Sequence, residues 1–514
     1  MSIKKLAGQT MWYGLSSIAA RFLNYLLTPY LTGRLLEGEY GQMSTVYAAL
    51  PFLNVIFTYG METTYFRFVQ KEKNRTDIYS TAAISMICST ILLTTILFLG
   101  RGGFTDLLKL QQHPEFITYS IFIIALDALT TLPFAKLRQD ERPRKFAVIR
   151  ILSITINIAF TYFFISVLPH IIEKNPDSIF RHIYIPKYGV GYIIISNLLA
   201  SFITLLLLYR EFFAFTFRFN SVLWKRMLAY ALPLILAGFA GMINETFDRI
   251  MLLWWTKPAA SGLDAEGQVG IYSAFYKLSI LITLFIQAFR MGAEPFFFKQ
   301  AEQENPQRVY ARVMKFFVIT ISVMFLVVAL YVDIWKHLFI HFKPSQDVED
   351  GMRVVPILLL ANMFLGIYYN LAIWYKLTNR TIVGAYITLI GAALTLFINY
   401  FFIPDHSYMA CAWATFACYG SMMVVSFVWG QKEYRIPYAW RKLCAYIILV
   451  VLLFFIHKTV VHHFTNRIFN LALATFFLGL YLWFVANVER KELQRMPVIG
   501  KFFSPPKSPP KGDL

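Results

Sequence analysis

Apolar runs about as long as a bilayer is thick recur from one end of this 514-residue chain to the other, as in "ISMICSTILLTTILFLG" from Ile84 and "LCAYIILVVLLFFIH" from Leu443. A hydrocarbon core about 30 Å thick needs about 20 apolar residues per helix. Helices satisfy their own backbone hydrogen bonds, so runs of this kind predict membrane-spanning helices and an all-α integral membrane protein. Spans are expected near 8–32, 40–66, 78–99, 116–137, 146–168, 189–209 and 226–255. Seven more are expected near 269–293, 309–332, 352–375, 381–403, 408–430, 440–457 and 468–488, which makes fourteen transmembrane helices. The composition agrees, with 57% hydrophobic and only 15% charged residues.

A net charge of +19 would suit a nucleic-acid binder, but the cations are not spread as a binding face requires. With the N-terminus inside, most Lys and Arg fall in cytoplasmic segments, in clusters such as Arg67, Lys71, Lys73 and Arg75, or Arg138, Arg142, Arg144 and Lys145. That alternation is the positive-inside pattern. It predicts a multi-pass membrane protein with both termini cytoplasmic, anchored at anionic headgroups, with no nucleic-acid partner. The basic N-terminal pair Lys4 and Lys5 precedes a stretch without a small-residue cleavage site, so that stretch reads as a retained helix. The four cysteines, Cys88, Cys411, Cys418 and Cys444, all fall within spans without metal-ligand spacing, and the histidines scatter over outer loops, so neither a metal nor a cofactor is expected. The proline-rich tail, within 491–514, reads as a disordered cytoplasmic segment.

The chain also repeats itself. "EYGQMSTVYAALPF" from Glu39 aligns with "QVGIYSAFYKLSIL" from Gln268, pairing Gly41 with Gly270, Ser44 with Ser273 and Tyr47 with Tyr276. After a slip of three residues, "GMETTYFR" from Gly60 aligns with "GAEPFFFK" from Gly292. Lys136 and Leu137 pair with Lys376 and Leu377, and "YFFI" at Tyr162 with "YFFI" at Tyr400. The unit is six spans. An even unit returns the chain to its starting side, so the copies share one orientation and are related by an axis along the membrane normal. The expected organisation is a lobe at 1–220, a second at 221–438, two further helices at 439–490, and a cleft between the lobes that opens to each side in turn.

Several spans carry polar groups that lipid cannot accommodate. Ser17, Arg21, Asn24 and Thr28 share one helical face, as do Asn54, Thr58 and Glu62 beside Pro51, where a kink is expected. Asp127 lies near the centre of the fourth span, Lys277 lies in the eighth, and Asn244, Glu245, Asp248 and Arg249 crowd the outer half of the seventh. A charge at a helix centre costs about 2.5–3.5 kcal/mol when it faces lipid, so these residues are expected to face one another or water. Arg21 and Lys277 are the expected cavity cations, suited to an anionic substrate. Ser17, Asn24, Thr28, Asn54, Thr58 and Asn244 are expected as polar lining, and Asp127, Glu245 and Asp248 as candidates for coupling a proton or sodium gradient. Glu62, Arg67, Arg290 and Glu294 are candidates for an inner gate. Two alternatives stay open: an Arg21 to Asp127 ion pair that only ties helices together, and a Lys277 that snorkels to the outer surface.

In its fourteen spans, its two six-helix lobes, and the stretches "EYGQMSTVYAALPF", "LPFAKLRQDERPRKFAVIRI" and "VGIYSAFYKLSIL", the chain resembles the polysaccharide-exporter branch of the multidrug/oligosaccharidyl-lipid/polysaccharide (MOP) flippase superfamily. Within that branch it is most similar to O-antigen (Wzx-type) flippases. The resemblance implies a V-shaped bundle that moves an undecaprenyl-diphosphate-linked oligosaccharide from the cytoplasmic to the periplasmic leaflet, for polysaccharide or lipopolysaccharide biosynthesis. It implies a cationic cavity for the sugar-diphosphate head, with the polyprenyl tail in lipid, and glycan polymerases or glycosyltransferases as partners. Lipid II flippases and multidrug exporters of the same superfamily are the alternatives; a membrane glycan ligase or polymerase would need a large outer loop that is not evident.

Overall fold

The computed structural model describes residues 3–494 apart from 72–74, 183, 302, 379 and 465, and the tail beyond 494 lies outside the described residues. Among these residues the regular structure is entirely helical. We label the fourteen helices that match the expected spans: α1 (Ile3–Thr32), α2 (Glu37–Thr58), α3 (Arg75–Leu99), α4 (Glu115–Gln139), α5 (Pro143–Tyr162), α6 (Gly189–Leu207), α7 (Ser221–Trp255), α8 (Ala265–Gln300), α9 (Pro306–Ala329), α10 (Val354–Leu371), α11 (Thr381–His406), α12 (Tyr408–Glu433), α13 (Trp440–His463) and α14 (Arg467–Val488).

Several helix starts are written in the sequence. Asn220, Asp264 and Asn466 each turn a side-chain oxygen onto free backbone N–H groups in the first turn of α7, α8 and α14, with the Asp264 bond to Gly267 at 2.7 Å. Eleven segments of the described residues are long and apolar enough to cross a membrane, and one of them, Thr381–Glu433, holds both α11 and α12. The more polar α1 and α2 fall outside that set.

By its contacts the chain divides into two compact units, one of Met1–Glu304 with Ile334–Arg435 and one of Asn305–Asp333 with Ile436–Leu514. In the second unit α9 packs against α13 and α14. Glu489, buried just beyond α14, accepts hydrogen bonds from Lys315 at 2.6 Å, Tyr446 at 2.7 Å and Lys442 at 3.2 Å, which ties the three helices together at one end. In the first unit α8 is central, with 72% of its most apolar window buried, whereas the corresponding figure for the Pro143–Lys174 segment is 11%.

The repeat becomes a physical contact where α2 crosses α8. A Cβ on Gly41 would lie 1.8 Å from the Glu266 carbonyl oxygen, and a Cβ on Gly270 would lie 1.9 Å from that of Glu37. Glu37 relates to Glu266, and Gly41 to Gly270, by one and the same sequence offset. Each helix therefore lays a first-turn carbonyl over the glycine one turn further along its counterpart, the self-complementary pattern of a two-fold contact. The slip in the repeat also has a structural cause. α2 runs unbroken through Pro51 and is interrupted at Tyr59 and Gly60, whose φ angles are 34° and 70°, while α8 continues without a break. The break falls two turns beyond Pro51, where Gly60 tolerates the left-handed backbone.

Candidate functional site

Inside the first unit the helices enclose a cavity of about 1040 Å³, lined by α1, α2, α4, α5, α6, α7 and α8. That is at the upper limit for ordinary small-molecule pockets, about 300–1,000 Å³. It runs from Leu31 and Tyr40, next to the glycine crossing, to Glu62 and Arg138 near the other end of the helices, roughly 30 Å away at a rise of 1.5 Å per residue. In the expected topology the crossing lies at the outer end and Arg138 at the inner.

Each wall is one face of one helix, at the spacing that a turn of 3.6 residues imposes. α5 presents Phe146, Arg150, Ser153 and Asn157; α6 presents Ile193, Asn197, Ser201 and Thr204; α8 presents Ser273, Tyr276, Lys277 and Ile280. The lining carries four cations, Arg138, Arg150, Arg249 and Lys277, against three carboxylates, Glu62, Asp127 and Glu245. Three of the cations are already engaged. Arg138 is ion-paired with Glu62. Arg150 sits over the Phe134 ring at 4.7 Å and within electrostatic reach of Asp127. Arg249 donates to Asp248 at 2.9 Å and to the Glu245 carbonyl at 3.1 Å, with its guanidinium 4.4 Å from the centre of the Tyr276 ring. Lys277 has no hydrogen-bond or ion-pair partner among the described residues.

α8 begins at Ala265, which sets Lys277 about 18 Å along its axis, and the side chain faces the cavity, not the outer surface. Arg21 stands apart. It is exposed and is not part of the cavity lining, though it is near enough to Arg150 and Tyr369 to act on them electrostatically. The cations that join Lys277 on the wall are Arg138, Arg150 and Arg249. Asp127 accepts a 2.7 Å hydrogen bond from Ser201, and the arginine that acts on it electrostatically is Arg150, so an Arg21 to Asp127 ion pair does not form among the described residues.

Of the expected polar lining, Asn24, Thr28, Asn54 and Thr58 do line the cavity. Asn244 does not: it is buried against α11 and α12, its side-chain amide donating to the Thr388 carbonyl at 3.1 Å, while its main-chain carbonyl accepts from Tyr419 at 3.2 Å. The Ser17 and Glu294 side chains lie outside the described residues. Glu245 lines the cavity, but Asp248 turns away from it, buried under the Tyr272 hydroxyl at 2.6 Å and the Arg249 guanidinium. The gate candidates do not form one cluster. Glu62 pairs with Arg138, Arg67 stacks on Tyr230 at 4.0 Å, and Arg290 stacks on Tyr369 at 3.9 Å.

Arg150 and Asn157 were the residues most open to detection beforehand, since they share a face of the fifth span one turn on either side of Ser153. Arg249 looked like a solvated residue near a helix end. Its place on the wall depends on which neighbour that face of α7 meets, which no spacing rule carries.

A family described as polysaccharide biosynthesis protein matches residues 6–301, more than half of the chain, and the MatE family matches residues 259–401. No curated protein matches the chain in sequence. Among solved structures, the lipid II flippase MurJ in an inward closed conformation superposes with a TM-score of 0.71 at 12% identity, covering 94% of this chain and 99% of its own. A multidrug resistance MATE family transporter of the MOP superfamily superposes in its inward-facing form with a TM-score of 0.58 at 13% identity, covering 85% of this chain and 95% of its own. Its outward-facing form gives the same score and identity over 86% and 96%. On the extent of the sequence match the chain belongs to the polysaccharide biosynthesis protein family, and its fold is that of the MOP flippase superfamily.

Proposed function

We propose that this protein is a flippase that carries an undecaprenyl-diphosphate-linked oligosaccharide from the cytoplasmic to the periplasmic leaflet by alternating access. The observation that carries the reading is the cavity within the membrane helices, with Lys277 unpaired on a wall whose polar part is amides, hydroxyls, engaged arginines and three carboxylates, set among apolar side chains. An unpaired ammonium in a low-dielectric cavity attracts a diphosphate far more strongly than it would in water. The surrounding amides and hydroxyls match the donors and acceptors of a sugar. A cavity with more cations than carboxylates is a poor receptor for organic cations, which speaks against a multidrug cargo.

The solved structure described as a lipid II flippase shares the fold, which supports a lipid-linked substrate for this chain. Alternating access then amounts to closing the cavity at the Arg138 end and parting the Gly41 and Gly270 crossing at the other. Gradient coupling falls to Asp127 and Glu245, the wall carboxylates not paired within the wall by a salt bridge. Asp127 is held in place by a 2.7 Å hydrogen bond from Ser201.

The test is complementation of a strain that lacks its own flippase, with lipid-linked glycan scored on the outer leaflet. Wild type restores export and Lys277→Ala does not, while the variant protein reaches the membrane in normal amount. Export unchanged by Lys277→Ala would remove the reading of the site. Glycan joined to an acceptor in liposomes holding only this protein would replace the flippase by an enzyme.

A further inference from the structure

Three amide side chains on the cavity wall, Asn24 on α1, Asn54 on α2 and Asn157 on α5, make no side-chain hydrogen bond among the described residues. Asn157 is the most informative of them, because its side-chain oxygen is sealed from solvent and still has no partner. The buried hydroxyl oxygens of Thr28 and Ser273 on the same wall also lack a partner, while other groups of the wall are satisfied internally. Thr58 donates to the Asn54 carbonyl at 2.7 Å, Thr204 to Ser153 at 2.8 Å, and Asn197 meets the Tyr47 hydroxyl at 3.4 Å.

An unsatisfied buried polar atom costs about 1–3 kcal/mol. Of the three amides only Asn157 carries that cost, since Asn24 and Asn54 are exposed to the cavity; those two present free donors and acceptors to whatever enters, beside an idle lysine on a fourth helix. An amide both donates and accepts, which suits the hydroxyl and acetamido groups of a sugar; it adds no charge that would favour a diphosphate. Lys277 is the opposite kind of group.

Building on the flippase reading, we propose that Asn24, Asn54 and Asn157 select the glycan, whereas Lys277 takes the anionic group common to every polyprenyl-diphosphate cargo. Discrimination among cargoes then resides in α1, α2 and α5. A site built to hydrogen-bond a hydroxyl rejects a ligand without it far better than an apolar wall does, because its own polar groups are left unpaired.

The full chain in nanodiscs is titrated with two probes, undecaprenyl diphosphate and the sugar-bearing undecaprenyl-diphosphate lipids extracted from the producing cells. Wild type binds the sugar-bearing lipid more tightly. Asn157→Leu, and likewise Asn24→Leu and Asn54→Leu, each cut that preference by about three- to tenfold while leaving undecaprenyl diphosphate bound as before. Lys277→Gln weakens both probes by the same factor and leaves their ratio intact. Asn157→Asp, which keeps size and an acceptor, guards against a variant that only misfolds, and it lowers the preference with the melting temperature unchanged. A preference that survives in all the amide variants overturns the assignment, as does a wild type that binds both probes equally, and in both cases the cationic flippase reading stands. If neither probe binds wild type, the flippase reading falls and this assignment with it.

Discussion

Replacing Gly270 by alanine tests the outer closure directly. The new methyl carbon would sit 1.9 Å from the Glu37 carbonyl oxygen and close to the backbone N–H of Gly41, 3.0 Å from its nitrogen. An ordinary carbon to oxygen contact needs about 3.3 Å, so α2 and α8 must separate by roughly 1.4 Å along that line. Both obstacles are backbone, so no rotamer change relieves them. Overpacking of this kind costs about 1–3 kcal/mol. If the crossing exists only when the outer end is closed, the whole cost falls on that state and shifts the equilibrium toward the open one by about 5- to 150-fold.

The assay is the rate at which a membrane-impermeant maleimide added from outside modifies a Thr28→Cys reporter, with the four native cysteines replaced. Thr28 lines the cavity and is only 2% exposed, so labelling reports opening. Gly270→Ala speeds labelling, and Gly41→Ala, whose methyl meets the Glu266 oxygen at 1.8 Å, does so to a similar degree. Gly292→Ala, where a Cβ meets nothing within 4 Å, leaves the rate unchanged and serves as the control. Slow labelling in both crossing variants, with the protein folded, would refute the idea that this contact belongs to a gate. A large effect at one glycine only would refute the two-fold packing.

Two further outcomes are expected. Burial works against the charge of Glu489, but hydrogen bonds from Lys315, Tyr446 and Lys442 outweigh it and hold the carboxyl below the usual range. Its stabilising effect is therefore complete above the unfolded pKa of about 4.3 and disappears as pH falls through the lower folded value. Glu489→Gln should cost about 1–3 kcal/mol at neutral pH, by leaving the buried Lys315 with only its longer contact to Glu492 at 3.6 Å, and much less near pH 3; thermal unfolding in detergent at the two pH values checks this, and an equal loss at both would refute it. Asp127→Asn keeps a group that Ser201 can bond but removes the charge, so flipping in proteoliposomes should lose its dependence on an imposed ion gradient, and a dependence that persists would clear Asp127 of a coupling role.

The membrane environment, the helical class, the repeat and the presence of charges that lipid could not hold were all legible in the sequence. They follow from run length, from matched spacing, and from the cost of burying a charge in hydrocarbon. The exact pairing of Gly41 with Gly270 was legible too, although its meaning as a contact was not. Periodicity says which residues share a face of one helix; it does not say toward which neighbour that face is turned. Helices in lipid gain little from hiding apolar surface from one another, so small residues, close packing and hydrogen bonds set their rotations. Only the tertiary structure therefore decided that Asn244 and Asp248 turn into packed protein, that Arg150 and Arg249 join Lys277 on the cavity wall while Arg21 stays off it, and that α9 groups with α13 and α14.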